Sequence, residues 1–405
     1  MSRAFVFASE SVTPGHPDKL CDQISDAIVD RMLEEDPLSR VIAECAIASS
    51  ILFLSVRHAS QARFDTGDLA RSVIADLGYT SAMGFNARDC TIMTSIQELS
   101  GPPYQRLDID QLADDSALDT VLASHNVTAF GYACGHTPQR MPAPVATAHH
   151  LARGLDGLRG DPEFDFLMPD GKAQVAVAFE QRAPTRLHSV TLVASQRTEG
   201  KPDSRMLETM LCERLIRPAL ANGSPGLDDE TRIFVNPEGP VIGGGPALHS
   251  GLTGRKTAMD GYGEYARHSG AALSGKDPLR IDRVAPYAAR HLARNVVAAG
   301  LASECEIQLT YSIGLPRPVS VQVQTYGTAR IPEETIGEQL EGVVDLRVAA
   351  IVRRFGLQHI VQRNAGTLFR RLAVYGQVGR DDLDVPWESE DLVDSLREGH
   401  WGSAE

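Results

Sequence analysis

Lysine is scarce in this chain: only five of the 39 basic residues are lysine (Lys19, Lys172, Lys201, Lys256 and Lys276). Cysteine pairing signals are missing too. The six cysteines (Cys21, Cys45, Cys90, Cys134, Cys212, Cys305) are scattered without C-x-x-C spacing, which argues against a disulfide framework or zinc module and for a reducing, cytoplasmic setting. No run approaches the roughly 20 apolar residues that span a bilayer. The opening MSRAFVFASESV lacks a basic stretch followed by an apolar one, so no signal peptide is expected. Positive charge is in deficit, with a net charge of -14, which disfavours nucleic acid and anionic membranes as partners.

What is present suits a soluble enzyme of several domains. The 405 residues are 42% hydrophobic and 23% charged, too long for one ordinary core. Against the acidic background, Leu252 to Arg294 is locally basic, with eight Lys/Arg against four acids. Four of the five lysines fall within short polar motifs. In a chain this biased to arginine, such placement suits phosphate binding, where a compact, flexible cation is useful.

Periodicity repeats three times at an offset of roughly 130 to 140 residues, a domain-scale triplication rather than a solenoid. Apolar residues at Leu20, Ile24, Ile28 and Met32 predict a helix over 20–33. Strands follow at 41–48 and 51–56, then a helix around 69–77 and a strand at 91–96. The same order returns as helix 144–158, strands 173–179 and 189–194, helix 206–220 and strand 232–235. It returns again as helix 284–299, strands 306–313 and 319–326, helix 338–352 and strand 372–375. The expected fold is α+β with antiparallel hairpins, divided as 1–105, 112–233 and 234–378 with a tail at 379–405. The Gly/Pro/Asp-rich stretch 101–119 reads as a mobile, solvated loop.

Four motifs can carry chemistry. Glu10 with Gly15-His16-Pro17-Asp18-Lys19 opens the first helix. A helix N-terminus with free N–H groups favours anions, and Pro17 suits its first turn. An ordinary capped helix is an equal reading of that motif. Pro169-Asp170-Gly171-Lys172 reads as a turn. Gly251-Leu252-Thr253-Gly254-Arg255-Lys256 offers a bare backbone ending in two cations. Ser274-Gly275-Lys276-Asp277 with Arg280 and Asp282 interleaves carboxylates and cations, a pattern suited to Mg²⁺ bridging phosphates or to a surface ion network. Gly270 to Lys276 matches G-x-x-x-x-G-K, but Asp277 replaces the magnesium-binding Ser/Thr and no apolar strand precedes it, so a P-loop is rejected.

Together, the residues Phe7 to Lys19, the GLTGRK and SGKDP runs, Ala288 to Gln308, Tyr311 to Gly314, Tyr326 to Thr328 and Pro386-Trp387-Glu388 resemble the S-adenosylmethionine synthetases (methionine adenosyltransferases) along nearly the whole chain. The resemblance implies three α+β domains related by pseudo-threefold symmetry, in dimers or dimers of dimers with active sites between subunits. It implies attack of a methionine sulphur on C5′ of ATP, with the expelled triphosphate then cleaved to diphosphate and phosphate. Carried over by motif, His16 assists departure of the bridging oxygen, and Asp18 and Asp282 hold Mg²⁺, two ions per site. Lys19, Lys172, Arg255, Lys256 and Lys276 grip the polyphosphate. Asp170 and Ala272 lie with the nucleotide, and Glu44 and Glu10 with K⁺ or Mg²⁺.

The acceptor half departs from the family pattern. Arg57 stands where G-G-E ends in a methionine-binding glutamate. Leu99, in Leu99-Ser100-Gly101-Pro102-Pro103, stands where a glutamine touches methionine. His125 and His249 replace aspartates, Arg280 replaces a lysine, and Asn236 to Val241 lacks the aromatic near adenine. Removing a carboxylate partner from a desolvated ammonium costs several kcal/mol, which predicts weak turnover of L-methionine and admits a different acceptor. Two further readings are an ATP or tripolyphosphate hydrolase and a non-catalytic partner of a true synthetase. The intact metal–phosphate residues argue against the last.

Overall fold

The computed structural model describes residues 4–101, 104–112, 114–221, 223 and 225–401. Residues 1–3, Pro102, Pro103, Ala113, Asn222, Ser224 and 402–405 lie outside these. The chain runs β1 (Ala4–Val12), α1 (Pro17–Glu35), β2 (Arg40–Ala48), β3 (Ile51–Ala59), α2 (Thr66–Asp76) and β4 (Thr91–Glu98). It continues with α3 (Asp115–Leu118), β5 (Val127–Cys134), α4 (Ala143–Leu158), β6 (Leu167–Glu180), β7 (Ala183–Gln196), α5 (Ser204–Leu211), α6 (Arg217–Leu220), β8 (Arg232–Val235) and β9 (Val241–Ile242). Then follow β10 (Gly251–Leu252), α7 (Thr257–Asp260), α8 (Ile281–Ala299), β11 (Glu304–Tyr311), β12 (Pro318–Gln324), α9 (Glu333–Val343), α10 (Val348–Phe355), α11 (Ile360–Arg363), α12 (Leu368–Leu372) and α13 (Val393–Trp401). No described helix is long and apolar enough to cross a membrane.

Among the described residues, three sheets repeat one plan. Their orders are β10-β2-β3-β4, β1-β6-β7-β8 (with β9 also beside β7) and β5-β11-β12. In each, an antiparallel hairpin takes a strand from elsewhere in the chain against its first member. In the first two, a last strand runs parallel to the hairpin's second member. The added strands form a closed cycle. β1, ahead of α1, joins the second sheet; β5, ahead of α4, joins the third; β10, ahead of α8, returns to the first. The chain is thus α+β in three interlocked units, each with one long helix, α1, α4 or α8, packed against its sheets.

Sequence explains α1 well. Pro17 occupies the first turn, the His16 side chain accepts the Asp18 N–H, and Leu20, Ile24, Ile28 and Met32 are buried. Elsewhere tertiary context intervenes. The helix expected over 206–220 is interrupted by a wide turn at Cys212–Ile216, in which the Arg217 N–H reaches back to Cys212 O just ahead of Pro218, which has no N–H to give. The helix expected over 338–352 is two helices, α9 and α10, separated at the extended Val344. The strand expected at 372–375 is not formed. Its start belongs to α12, and Tyr375 adopts φ 62, incompatible with a strand. The stretch 101–119 is less solvated than its composition suggests: Ile109 is fully buried, and its N–H donates to Gln358 Oε1 at 2.8 Å.

Candidate active site

The polar face of α1 organises the site. Asp18, Asp22, Asp26 and Asp30 recur every fourth residue, so they share one side of the helix, and all are buried. Each receives backbone N–H groups from residues between Leu252 and Arg370. Asp18 Oδ1 accepts from Leu252 (3.1 Å), Asp22 Oδ1 from Gly254 (2.7 Å), Asp26 Oδ1 from Gly275 (2.8 Å) and Asp30 from Phe369 and Arg370 (2.9 and 2.8 Å). This carboxylate ladder holds the GLTGRK and SGKDP loops in place. Its four-residue spacing stands in the sequence beside the apolar stripe, and sequence reasoning overlooked it. Ala272 packs against the Gly254 backbone.

One cluster gathers at the N-terminal end of α1. Gly15 lets the loop before the helix meet Pro169 closely, since a Cβ there would lie 2.3 Å from Pro169 Cβ. Two motifs far apart in sequence thereby touch. Pro169 to Lys172, expected as a turn, lies within β6, where the register against β7 shifts between Leu167 and Gly171. Asp170 Oδ2 accepts the Gly245 N–H and meets His249 Nε2, both at 2.8 Å. The His16 and His249 rings are 5.0 Å apart, edge to face. Glu10 receives Lys256 Nζ at 3.0 Å and Lys172 Nζ at 3.2 Å. Arg255 reaches toward Asp18 at 3.8 Å.

Electrostatics follow from burial. Desolvation, opposed by Asp170 and aided by Lys256, pushes His16 down to about 3, so the imidazole is neutral at pH 7. Its Nδ1 accepts the Asp18 N–H at 3.2 Å, which leaves the proton on Nε2 as a donor. Burial raises Asp18. Burial would also raise Glu10, but Lys256 and Lys172 outweigh it and hold the group below its ordinary value.

A second cluster lies beside the SGKDP loop. Asp282, in the first turn of α8, is buried; His125 Nδ1 stands 3.2 Å, Lys276 Nζ 3.5 Å and Arg280 Nε 4.0 Å from its oxygens. Among the described residues, neither Asp282 oxygen accepts a well-formed hydrogen bond. Desolvation lowers Lys276 despite the neighbouring Asp282. Asp277 serves the backbone instead, accepting from Val41 and Leu279 and pairing with Arg40. Asp18 and Asp26 mark the two clusters along α1, and eight residues of helix separate them by about 12 Å.

The remaining expected residues stand apart. Lys19 has no exposed surface: its ammonium is enclosed by Asp22 at 2.9 Å and by Asp260, whose charges outweigh burial and raise its pKa. It is a structural cation here, out of reach of a polyphosphate. Glu44 is exposed and pairs with Arg57 at 3.1 Å across β2 and β3. Arg57 is therefore not an isolated cation: its charge is balanced within the chain, while the glutamate of the family pattern has no replacement at that position. Leu99 is half-buried and extends β4, its N–H donating to His58 O at 2.7 Å.

Comparison with known proteins identifies relatives along nearly the whole of this chain. Family models described as the N-terminal, central and C-terminal domains of S-adenosylmethionine synthetase match residues 4–101, 120–241 and 242–389. The chain belongs to the S-adenosylmethionine synthetase family. Relatives named S-adenosylmethionine synthase include those of Synechococcus elongatus, 41% identical over 98% of both chains, and Gloeothece citriformis, 41% identical with the same coverage. That of a Picosynechococcus species is 42% identical, again over 98% of each. The three matches to the synthetase family fall in the same order as the three helix-led units.

Proposed function

We propose that this chain forms S-adenosylmethionine from ATP and L-methionine in the cytoplasm. The carrying observation is that Lys172 and Lys256, both paired with Glu10, stand near enough to a neutral, buried His16 to depress its pKa, while Arg255 reaches toward the neighbouring Asp18. The departing triphosphate accumulates about four negative charges, and a unit charge pair at 4 Å is worth about 4 kcal/mol at an effective dielectric near 20. Cations held in place before reaction lower that barrier without reorganising. His16 Nε2–H donates to the bridging oxygen as the C5′–O bond breaks and sulphur attacks C5′. Asp170, oriented by the Gly245 N–H, receives the nucleotide.

The residues fit Mg²⁺. Among the described residues, neither buried oxygen of Asp282 accepts a well-formed hydrogen bond, and Asp18 spends only Oδ1 on Leu252; an ion shared with phosphate oxygens satisfies such carboxylates. Mg²⁺ there would neutralise the leaving chain. Glu44 suits K⁺ poorly, because Arg57 already balances its carboxylate, and no step is assigned to that ion.

Two features favour a complete site built from two copies of the chain. The His16 and Lys276 clusters are separate within one chain. The outer face of the first sheet also leaves Ile51 (54%), Phe53 (47%), Met93 (55%) and Leu252 (46%) exposed beside the GLTGRK loop. A second copy seated there would cover apolar surface and bring its Lys276 cluster to the first copy's His16.

Incubation with ATP, L-methionine and Mg²⁺ should yield S-adenosylmethionine, diphosphate and phosphate by mass spectrometry. ADP or phosphate without the sulphonium product overturns the reading. Mixing the inactive His16→Ala and Lys276→Ala proteins should restore activity by forming one intact shared site. Failure of subunit-exchanged mixtures to recover activity overturns the shared-site proposal alone.

A further inference from the structure

We propose that His16, Asp170 and His249 form a binding site for a transition-metal ion of the Zn²⁺ class, separate in chemistry from the oxygen-liganded Mg²⁺ positions. One ligand atom from each residue falls within 4.8 Å of the other two. Two imidazoles and one carboxylate are the donor set of zinc sites that keep an open position, and they match borderline metals better than Mg²⁺. At metal–ligand bonds of about 2.1 Å, tetrahedral ligands lie about 3.4 Å apart. The 2.8 Å His249–Asp170 contact must open slightly, and the widest separation must close. His249 can make that adjustment, since 43% of its side chain is exposed, whereas Asp170 is 9% exposed.

Part of the supporting shell is already built, since the Gly245 N–H fixes one oxygen of Asp170. When Nε2 takes a metal the His16 proton moves to Nδ1, which gives up the 3.2 Å hydrogen bond from the Asp18 N–H and faces the Asp18 carboxylate, 3.8 Å away. Lys172, Lys256 and Arg255 nearby are matched by Glu10, Asp18 and Asp170, so the locality is charge-balanced. The sequence supplies the reason this chain differs from its family pattern: His249 occupies the place of an aspartate and replaces an oxygen donor with nitrogen. The ion engages His16 and Asp170, so it excludes ATP. This consequence rests on the proposed nucleotide site; the binding itself does not.

Co²⁺ reports on such a site through its d–d absorption. Titrating the metal-stripped, full-length protein with Co²⁺ in the absence of nucleotide should give the intense visible bands of a low-coordinate nitrogen–oxygen site at one ion per chain. Zn²⁺ should bleach them stoichiometrically, and millimolar Mg²⁺ should not. His249→Ala and His249→Asn should each weaken Co²⁺ binding at least tenfold while circular dichroism stays native. Weak octahedral spectra, sulphur-to-cobalt charge-transfer bands from a cysteine site, or spectra unchanged in both variants would overturn the proposal. ATP should displace Co²⁺ from the unmodified protein. Retained Co²⁺ with saturating ATP would refute the competition, and synthetase activity measured with Mg²⁺ alone is scored independently of all these outcomes.

Discussion

Asp26 and Arg283 form an ion pair with neither side chain exposed to solvent. Arg283 also lies over the Phe369 ring, 4.3 Å from its centroid, and donates to Tyr287 Oη at 3.2 Å. The pair ties α1 to α8, while the same Asp26 oxygen fixes the Gly275 N–H next to Lys276. Removing one member of a buried pair leaves an uncompensated charge, at a cost of about 3–5 kcal/mol. Asp26→Ala should lower urea-unfolding stability by that amount. A loss below about 1 kcal/mol would show that the pair is not the joint it resembles.

Asp282 should behave in the opposite way. Its carboxylate is buried without a well-formed hydrogen bond, and its cations Lys276 and Arg280 stand 3.5 and 4.0 Å away, an incompletely compensated state before metal and substrate arrive. Asp282→Asn should leave the melting temperature of the ligand-free protein unchanged or raise it, yet reduce turnover by at least about a hundredfold. A large drop in melting temperature would assign Asp282 a structural role.

For His16, substitution by Asn should lower kcat by about 10²–10⁴, the usual contribution of a positioned proton donor, with KM for ATP changing far less. Burial holds the imidazole near 3, so it stays neutral from pH 5 to 8. The kcat profile should therefore lack an acid limb from His16 over that range. An inflection near pH 6.5 that vanishes in His16→Asn would contradict the neutral donor.

His149 makes a stability prediction away from the site. Desolvation lowers it from 6.5 to about 3, and Arg380 and Lys19 add to the effect; its Nδ1 meets Ser11 Oγ at 2.8 Å. The unfolded chain binds this proton first, so stability falls as pH drops below 6.5 and stops falling near 3. The slope is about 1.4 kcal/mol per pH unit within the window. Relative to His149→Gln, the unmodified protein should lose stability at about that rate between pH 6 and 4. A difference independent of pH would exclude a buried neutral His149.

The legible parts of this molecule were those with local causes. Pro17, Asp18 and the stripe from Leu20 to Met32 specified α1 because capping and amphipathicity are properties of neighbouring residues. The hairpins β2-β3, β6-β7 and β11-β12 followed for the same reason. Strand 372–375 failed because β propensity requires a partner, and α12 and the left-handed Tyr375 occupy that stretch instead. The 338–352 helix divided because the stretch after the extended Val344 is held from a distance, with Tyr311 Oη donating to Leu346 O at 2.7 Å and the Val348 N–H to Pro316 O at 3.0 Å.

The amino-acid sequence by itself determined the family, the three α+β units and the residue types of a polyphosphate site, since those are carried by short motifs and periodicities. Only the tertiary structure decided which motif residues work together. It enclosed Lys19 between Asp22 and Asp260, paired Arg57 with Glu44, and set His16, Asp170 and His249 side by side. The reason is physical. Charge, burial and ligand geometry depend on atoms brought together by the cyclic exchange of strands between units, across separations of up to hundreds of residues.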